Sequence, residues 1–177
     1  MAVRKYKMIL TEDSITKLQN DLLEYKNKIL VDRVQTFVRL LAEAGIPVAK
    51  AKIKSYDAID TGKLLNSIVT RKGADTKDKF VFFVVADTDY AAFVEFGTGI
   101  VGMESGYPYP FPEGVHWQYA SGKTIHEQGN SYGWFYQKEE NGPWYFTQGT
   151  VAKPFMYETS MELAQKVETI AKKVFAV

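Results

Sequence analysis

The stretch Lys79-Phe80-Val81-Phe82-Phe83-Val84-Val85-Ala86-Asp87-Thr88-Asp89-Tyr90-Ala91-Ala92-Phe93-Val94-Glu95-Phe96-Gly97 decides the reading of the fold. Its first part is unbroken aromatic and β-branched residue from Phe80 onward, which predicts a strand over 79–86 buried on both faces. Asp87-Thr88-Asp89 predicts a turn. Tyr90 to Phe96 then predicts a second strand, closed by Gly97. Strands this short, joined this tightly, make a small and mainly antiparallel sheet.

On the N-terminal side, residues 13–44 read as one long helix. Ile15, Leu18, Leu22, Tyr25 and Ile29 recur at spacings of three and four, as one face of a helix requires. A second stripe, Leu30, Val34, Phe37, Leu41 and Ala44, continues with a shift in phase. Asp13 or Ser14 is the expected N-cap, because either side chain can accept from an orphan N–H. Gly45 is expected to end the helix and Pro47 to bar its continuation. At about 1.5 Å per residue the helix is on the order of 45 Å long. That length either lies across its own sheet or reaches a neighbour. Val48 to Tyr56 predicts a separate short helix with a solvated lysine face (Lys50, Lys52, Lys54), and 60–68 a capped helical turn running into a strand.

On the C-terminal side the composition changes. The chain has 177 residues, 25 of them aromatic, and residues 97–150 hold 12 of those aromatics, 10 of the 13 glycines and 4 of the 6 prolines. This segment is net acidic and the remainder net basic, so the overall charge of +1 is a balance of two parts. Trp134–Gln137 and Trp144–Thr147 flank Glu139-Glu140-Asn141-Gly142, and Asn-Gly signals a hairpin turn. Residues 97–133 read as a long loop with its own aromatic packing, and 100–150 as an arm inserted in a single domain spanning 1–177. Pro154 opens a last helix, where its missing N–H does no harm. The whole is α+β: a small, mainly antiparallel sheet packed by a long N-terminal helix and a C-terminal helix.

Several function classes are excluded or disfavoured. With no cysteine there is no disulfide scaffold, Cys-type zinc site or thiol chemistry. Near-neutral charge lacks the footprint of a dedicated nucleic-acid binder. The longest apolar run, 80–86, is far short of the roughly 20 residues of a membrane span. No apolar signal-peptide core precedes Thr11, so a cytosol-made protein is expected. Gly97-Thr98-Gly99-Ile100-Val101-Gly102 fits a dinucleotide fingerprint, but Glu104 to Pro110 is not expected to form the helix such a site needs. Gly129-Asn130-Ser131-Tyr132-Gly133 fits a nucleophile elbow, yet lies between loop and hairpin rather than strand and helix. Ser121-Gly122-Lys123-Thr124 has Trp117 where a phosphate loop needs its first glycine. Glu113, His116, His126 and Glu127 lack the spacing of a helical metal site. No cofactor is expected. An aromatic binding module for single-stranded nucleic acid or glycan is the alternative function, although the acidic balance opposes nucleic acid.

Three stretches in order carry a family resemblance: Asp60-Thr61-Gly62-Lys63-Leu64-Leu65-Asn66-Ser67-Ile68, then Tyr90-Ala91-Ala92-Phe93-Val94-Glu95-Phe96-Gly97-Thr98-Gly99, then Thr147-Gln148-Gly149-Thr150-Val151-Ala152-Lys153-Pro154-Phe155-Met156. With helices before and after, the chain resembles the Hong Kong 97 gene-product-ten-like family of bacteriophage tail-completion (neck, head–tail joining) proteins, over about residues 10–175. Many relatives have a shorter connection between Gly99 and Gly149. The resemblance implies a structural virion protein without catalysis, made in the host cytoplasm and placed at the neck or tail. It implies a homo-oligomeric ring, with a hexamer the size often proposed, that meets head-closure or connector proteins and tail terminator or tail tube proteins. DNA passes such a ring without being specifically bound, and no membrane is involved.

The matching positions read as fold-defining. Thr61 can cap the turn from Gly62 to Ser67. Asp60, Leu64, Ile68, Tyr90, Thr98 and Phe155 complete the pattern with Pro154. Gly97 and Gly99 permit positive φ after a strand. Glu95, in an apolar strand, needs a lysine, an arginine or a subunit contact if buried; otherwise it faces solvent at the strand's end. Tyr107, Tyr109, Trp117, Tyr119, Trp134 and Trp144 are the candidate interface residues, because Tyr and Trp concentrate at protein contacts.

Overall fold

A computed structural model describes residues 11–76, 79–119, 126–129, 131–138 and 140–175. It is α+β, with long first and last helices and small antiparallel sheets. The described residues fall into two compact units. One takes in 11–46, 69–85 and 161–175, the other 47–68 and 86–160.

The helical run starts earlier and ends later than its sequence signals suggest. Thr11, not Asp13 or Ser14, is the N-cap: its hydroxyl accepts from the Ser14 N–H while the Ser14 hydroxyl accepts from the Thr11 N–H. This reciprocal arrangement satisfies one orphan donor of the first turn and secures the cap residue's own N–H. Helix α1 runs Glu12–Glu24, a π turn occupies Tyr25–Ile29, and α2 runs Leu30–Ser55. The π turn is the physical origin of the phase shift between the two apolar stripes. One extra residue in that turn rotates the start of α2 by about 100°, which brings Leu30, Val34 and Phe37 back into line with Ile15, Leu18 and Leu22.

Neither Gly45 nor Pro47 stops α2, and no separate helix begins at Val48. Gly45 is a point of close packing rather than a cap: a Cβ there would stand 2.7 Å from Val84 Cγ2 and 3.1 Å from Leu163 Cδ1. Pro47 removes one backbone bond, and burial of Ala42, Val48, Ala49 and Ile53 carries the helix through.

Helix α3 (Lys63–Asn66) leads into β1 (Ile68–Lys72), as 60–68 suggested, and β1 pairs with β2 (Phe82–Ala86). Gly73 N–H donates to Val81 O at 2.8 Å and Asp87 N–H to Ser67 O at 3.1 Å, which fixes an antiparallel register. Strand β2 is not buried on both faces. Phe83 is 52% exposed, because in a two-stranded ribbon only the Val84 side has a helix to pack on.

The largest correction falls on Tyr90–Phe96. Ala91–Phe96 is helix α4, not a strand, with Tyr90 as its N-cap. A second short helix, α5 (Gly99–Ser105), begins inside the glycine-rich stretch and takes in Glu104 and Ser105, while 106–110 is not helical, as expected. Among the described residues no parallel strand pair accompanies it, so the fingerprint still lacks its βαβ setting. Strands β3 (His126–Gln128), β4 (Ser131–Gln137) and β5 (Trp144–Thr147) form an antiparallel sheet in that order. The hairpin places Phe135 opposite Phe146 and Tyr136 opposite Tyr145, and Asn141 takes the positive φ of 63° that its turn requires. Strand β6 (Gly149–Thr150) bridges Thr98 and Gly99, and α6 runs Phe155–Phe175 directly after Pro154. In the first unit, Phe37 of α2 and Phe175 of α6 pack with ring centroids 5.8 Å apart.

Candidate functional site

The three family-like stretches meet within the second unit. Lys153 N–H donates to Val94 O at 2.9 Å, and Thr98 and Gly99 pair with Thr150 and Gly149. Gly97 has φ 80°, and a Cβ on it would lie 2.8 Å from Ala152 N, so both conformation and space demand glycine. Its carbonyl accepts from Trp117 Nε1–H at 3.0 Å, while Gly99 N–H donates to Tyr119 O at 2.8 Å. The first stretch joins through Lys63, whose ammonium lies 5.7 Å from the Tyr90 ring centre and 3.6 Å from Asp89. Thr61 Oγ1 accepts from Lys63 N–H at 3.3 Å just ahead of the turn, whose N-cap position is Gly62. Gly62 supports that turn at φ 78°, and the Ser67 hydroxyl closes it on Leu64 O at 2.8 Å. Asp60 pairs with Lys138 at 3.2 Å and raises the lysine's pKa through that bond. Leu64, Ile68 and Phe155 are core. Thr98 is the N-cap of α5 without a side-chain cap bond.

Glu95 organises the centre of this arrangement. It is 6% exposed, on α4, and its partners are neither cationic nor on another subunit. Oε2 accepts from Met156 N–H at 2.8 Å. Oε1 accepts from Tyr157 N–H at 3.0 Å and from the Tyr107 hydroxyl at 2.9 Å. Met156 and Tyr157 lie in the first turn of α6, whose N–H groups have no partner within the helix. A remote carboxylate therefore caps α6, and its charge sits at the positive end of the helix. Burial pushes the Glu95 carboxyl above its ordinary value, against the opposing pull of its three donors. The same burial, with Glu95 beside it, raises the Tyr107 hydroxyl well above the usual tyrosine range.

A second carboxylate stands beside the first. Glu158 of α6 accepts from the hydroxyls of Tyr56 and, at 3.2 Å, Tyr109, and pairs with Lys52 at 3.1 Å. Burial raises the Glu158 carboxyl, but the Tyr56, Lys52 and Tyr109 donors outweigh it, so its pKa falls below the ordinary value. Burial and the Glu158 bond push Tyr56 up in turn. Aromatic rings complete the cluster. Tyr109 stacks on Tyr157 at 4.2 Å, Tyr107 stacks on Phe111 at 5.0 Å, and Phe96 contacts Tyr107, Phe111 and Trp117 at 5.0–5.7 Å.

The six candidate interface residues therefore divide. Tyr107, Tyr109 and Trp117 are committed to packing and hydrogen bonds inside the unit, whereas Tyr119 is tied there through its backbone carbonyl, which accepts from Gly99 N–H. Trp134 lies against Gly99, where a Cβ would collide with its ring. Trp144 is 65% exposed on the hairpin, with Tyr132 and Tyr145 also exposed. Ser131 begins β4 after a hairpin turn rather than a strand-to-helix elbow. Glu113, His116 and Glu127 are exposed, and Ser121 to Thr124 lie outside the described residues. Lys52, Tyr56, Tyr157 and Glu158 have no counterpart among the sequence-based candidates. They come from the ends of two helices about 100 residues apart, and no local pattern joins them.

Helices with small antiparallel sheets, and a carboxylate that caps a distant helix, define an α+β module in which the family-like residues serve the fold itself. Residues 12–97 match the HK97-gp10-like family, described as "Bacteriophage HK97-gp10, putative tail-component". The match takes in the first two family-like stretches as far as Gly97 and leaves the third outside. It supports the structural role of a phage tail component, a part of the virion. No curated protein and no solved structure matches the chain.

Proposed function

We propose that this chain is a tail-completion protein acting at the neck, where it joins head to tail by assembly into a homo-oligomeric ring and not by catalysis. The match of residues 12–97 to a family of tail components carries the reading. Its expected partners are head-closure or connector proteins on one side and tail terminator or tail tube proteins on the other, with DNA passing through the ring. The exposed aromatics of the hairpin, Trp144, Tyr145 and Tyr132, supply a contact surface of the composition that protein interfaces favour. Native mass spectrometry of the chain mixed with its connector and tail tube proteins tests the reading. Multimers bound to either partner support it. A strict monomer that binds neither overturns it.

A further inference from the structure

The tip of the hairpin carries Asn141-Gly142, and Asn141 is the chain's one asparagine followed by glycine. The ladder of β4 and β5 ends at Gln137 opposite Trp144, so 138–143 project beyond the last paired residues. Lys138, Glu140, Asn141 and Pro143 are exposed there. Gly142 is held through its carbonyl, which accepts from Gln137 Nε2–H at 2.6 Å. A backbone nitrogen can attack the carboxamide of the asparagine before it when the two can approach. Glycine favours the approach because it has no Cβ in the way, and an exposed loop tip lets the backbone turn to make it. Asn66-Ser67 lacks both advantages. Ser67 carries a Cβ, and its N–H already donates to Lys63 O at 3.0 Å and Leu64 O at 3.1 Å. Asn20 and Asn27 lie within α1 and the π turn, and Asn130 is outside the described residues.

We propose that Asn141-Gly142 is a deamidation site at which the folded chain converts Asn141 to isoaspartate and aspartate, with water as the co-reactant. The Gly142 nitrogen forms a bond to Asn141 Cγ. The Cγ–Nδ2 bond breaks, and ammonia leaves with the proton that the Gly142 nitrogen gave up. Water then opens the five-membered succinimide. Attack at Cγ restores the original backbone as aspartate. Attack at the Asn141 main-chain carbonyl carbon routes the backbone through the side chain and leaves isoaspartate. The sum is carboxamide plus water giving carboxylic acid plus ammonia, with no change of oxidation state. Isoaspartate adds a methylene to the turn that joins β4 to β5. Either product adds a carboxylate next to Glu140 and close in sequence to the exposed Trp144 and Tyr145. The inference rests on the turn alone and not on the neck reading.

The full chain is aged in mildly alkaline buffer, folded and, in parallel, unfolded in urea. Both samples are digested under mildly acidic conditions and mapped by mass spectrometry. Isoaspartate is identified by its acceptance of a methyl group from S-adenosylmethionine under an isoaspartyl methyltransferase. In the folded chain Asn141 should convert severalfold faster than Asn66, with isoaspartate exceeding aspartate. An Asn141 that survives in the folded chain while the urea sample loses it overturns the proposal, because the turn then protects the site. So does an Asn66 that converts as fast, or a product that is aspartate alone.

Discussion

Glu95 shows how one side chain can hold sequence-distant parts together. Three donors converge on it, two of them backbone N–H groups at the start of α6. A buried donor without an acceptor costs about 1–3 kcal/mol. Glu95→Ala should therefore lower unfolding free energy by about 2–4 kcal/mol in urea titration, since the lost carboxylate also relieves some desolvation cost. Tyr107→Phe removes one donor and leaves the cap, so it should cost only about 1 kcal/mol. Equal losses would show that the backbone caps contribute nothing. The two carboxylates also respond to pH with opposite signs. Glu158 titrates below the ordinary value of 4.5, so its stabilisation is complete above 4.5 and is lost as pH falls through its lowered pKa. Glu95 titrates above 4.5, so the folded state takes up a proton first, and its contribution rises as pH falls toward 4.5. The stability gap between wild type and Glu158→Gln should therefore narrow below pH 4.5. A gap that stays constant down to pH 3 would contradict the cluster. Burial of Glu95 was foreseeable as one of two alternatives. Its true partners were not, because backbone donors leave no trace in residue identity.

At the scale of elements, the apolar stripes predicted the long helix and even recorded the π turn, since the phase changes between Ile29 and Leu30. Deleting Asn27 removes the extra residue and leaves one unbroken three-and-four pattern. The deletion should fold with a regular α-helix through 25–29 and no loss of melting temperature. A fall of several degrees would mean that the π turn has a role of its own. The caps misled where tertiary packing decided. Gly45 and Pro47 carry helix-stop chemistry, yet the helix continues because Ala49 and Ile53 are wholly buried. Tyr90–Phe96 was illegible for another reason. Apolar residues around one carboxylate suit a buried strand and a short buried helix equally, and length alone does not separate them. The Asn-Gly hairpin was legible because positive φ restricts residue choice so sharply.

At the scale of the whole molecule, the aromatic excess has two fates. Tyr107, Tyr109 and Trp117 knit the 100–150 segment into its own unit, whereas Trp144, Tyr145 and Tyr132 remain on its surface. Composition alone suggested a contact surface, and the fold separates the exposed rings from those already spent on packing. The family-like stretches were legible because each fills a position with a narrow physical tolerance, such as a positive φ at Gly97 or a helix start after Pro154. The central proposal, that this chain joins heads to tails, is most directly tested by electron microscopy of particles assembled without it. The account predicts DNA-filled heads and separate tails that join when the protein is added back. Complete, infectious virions in its absence would contradict it.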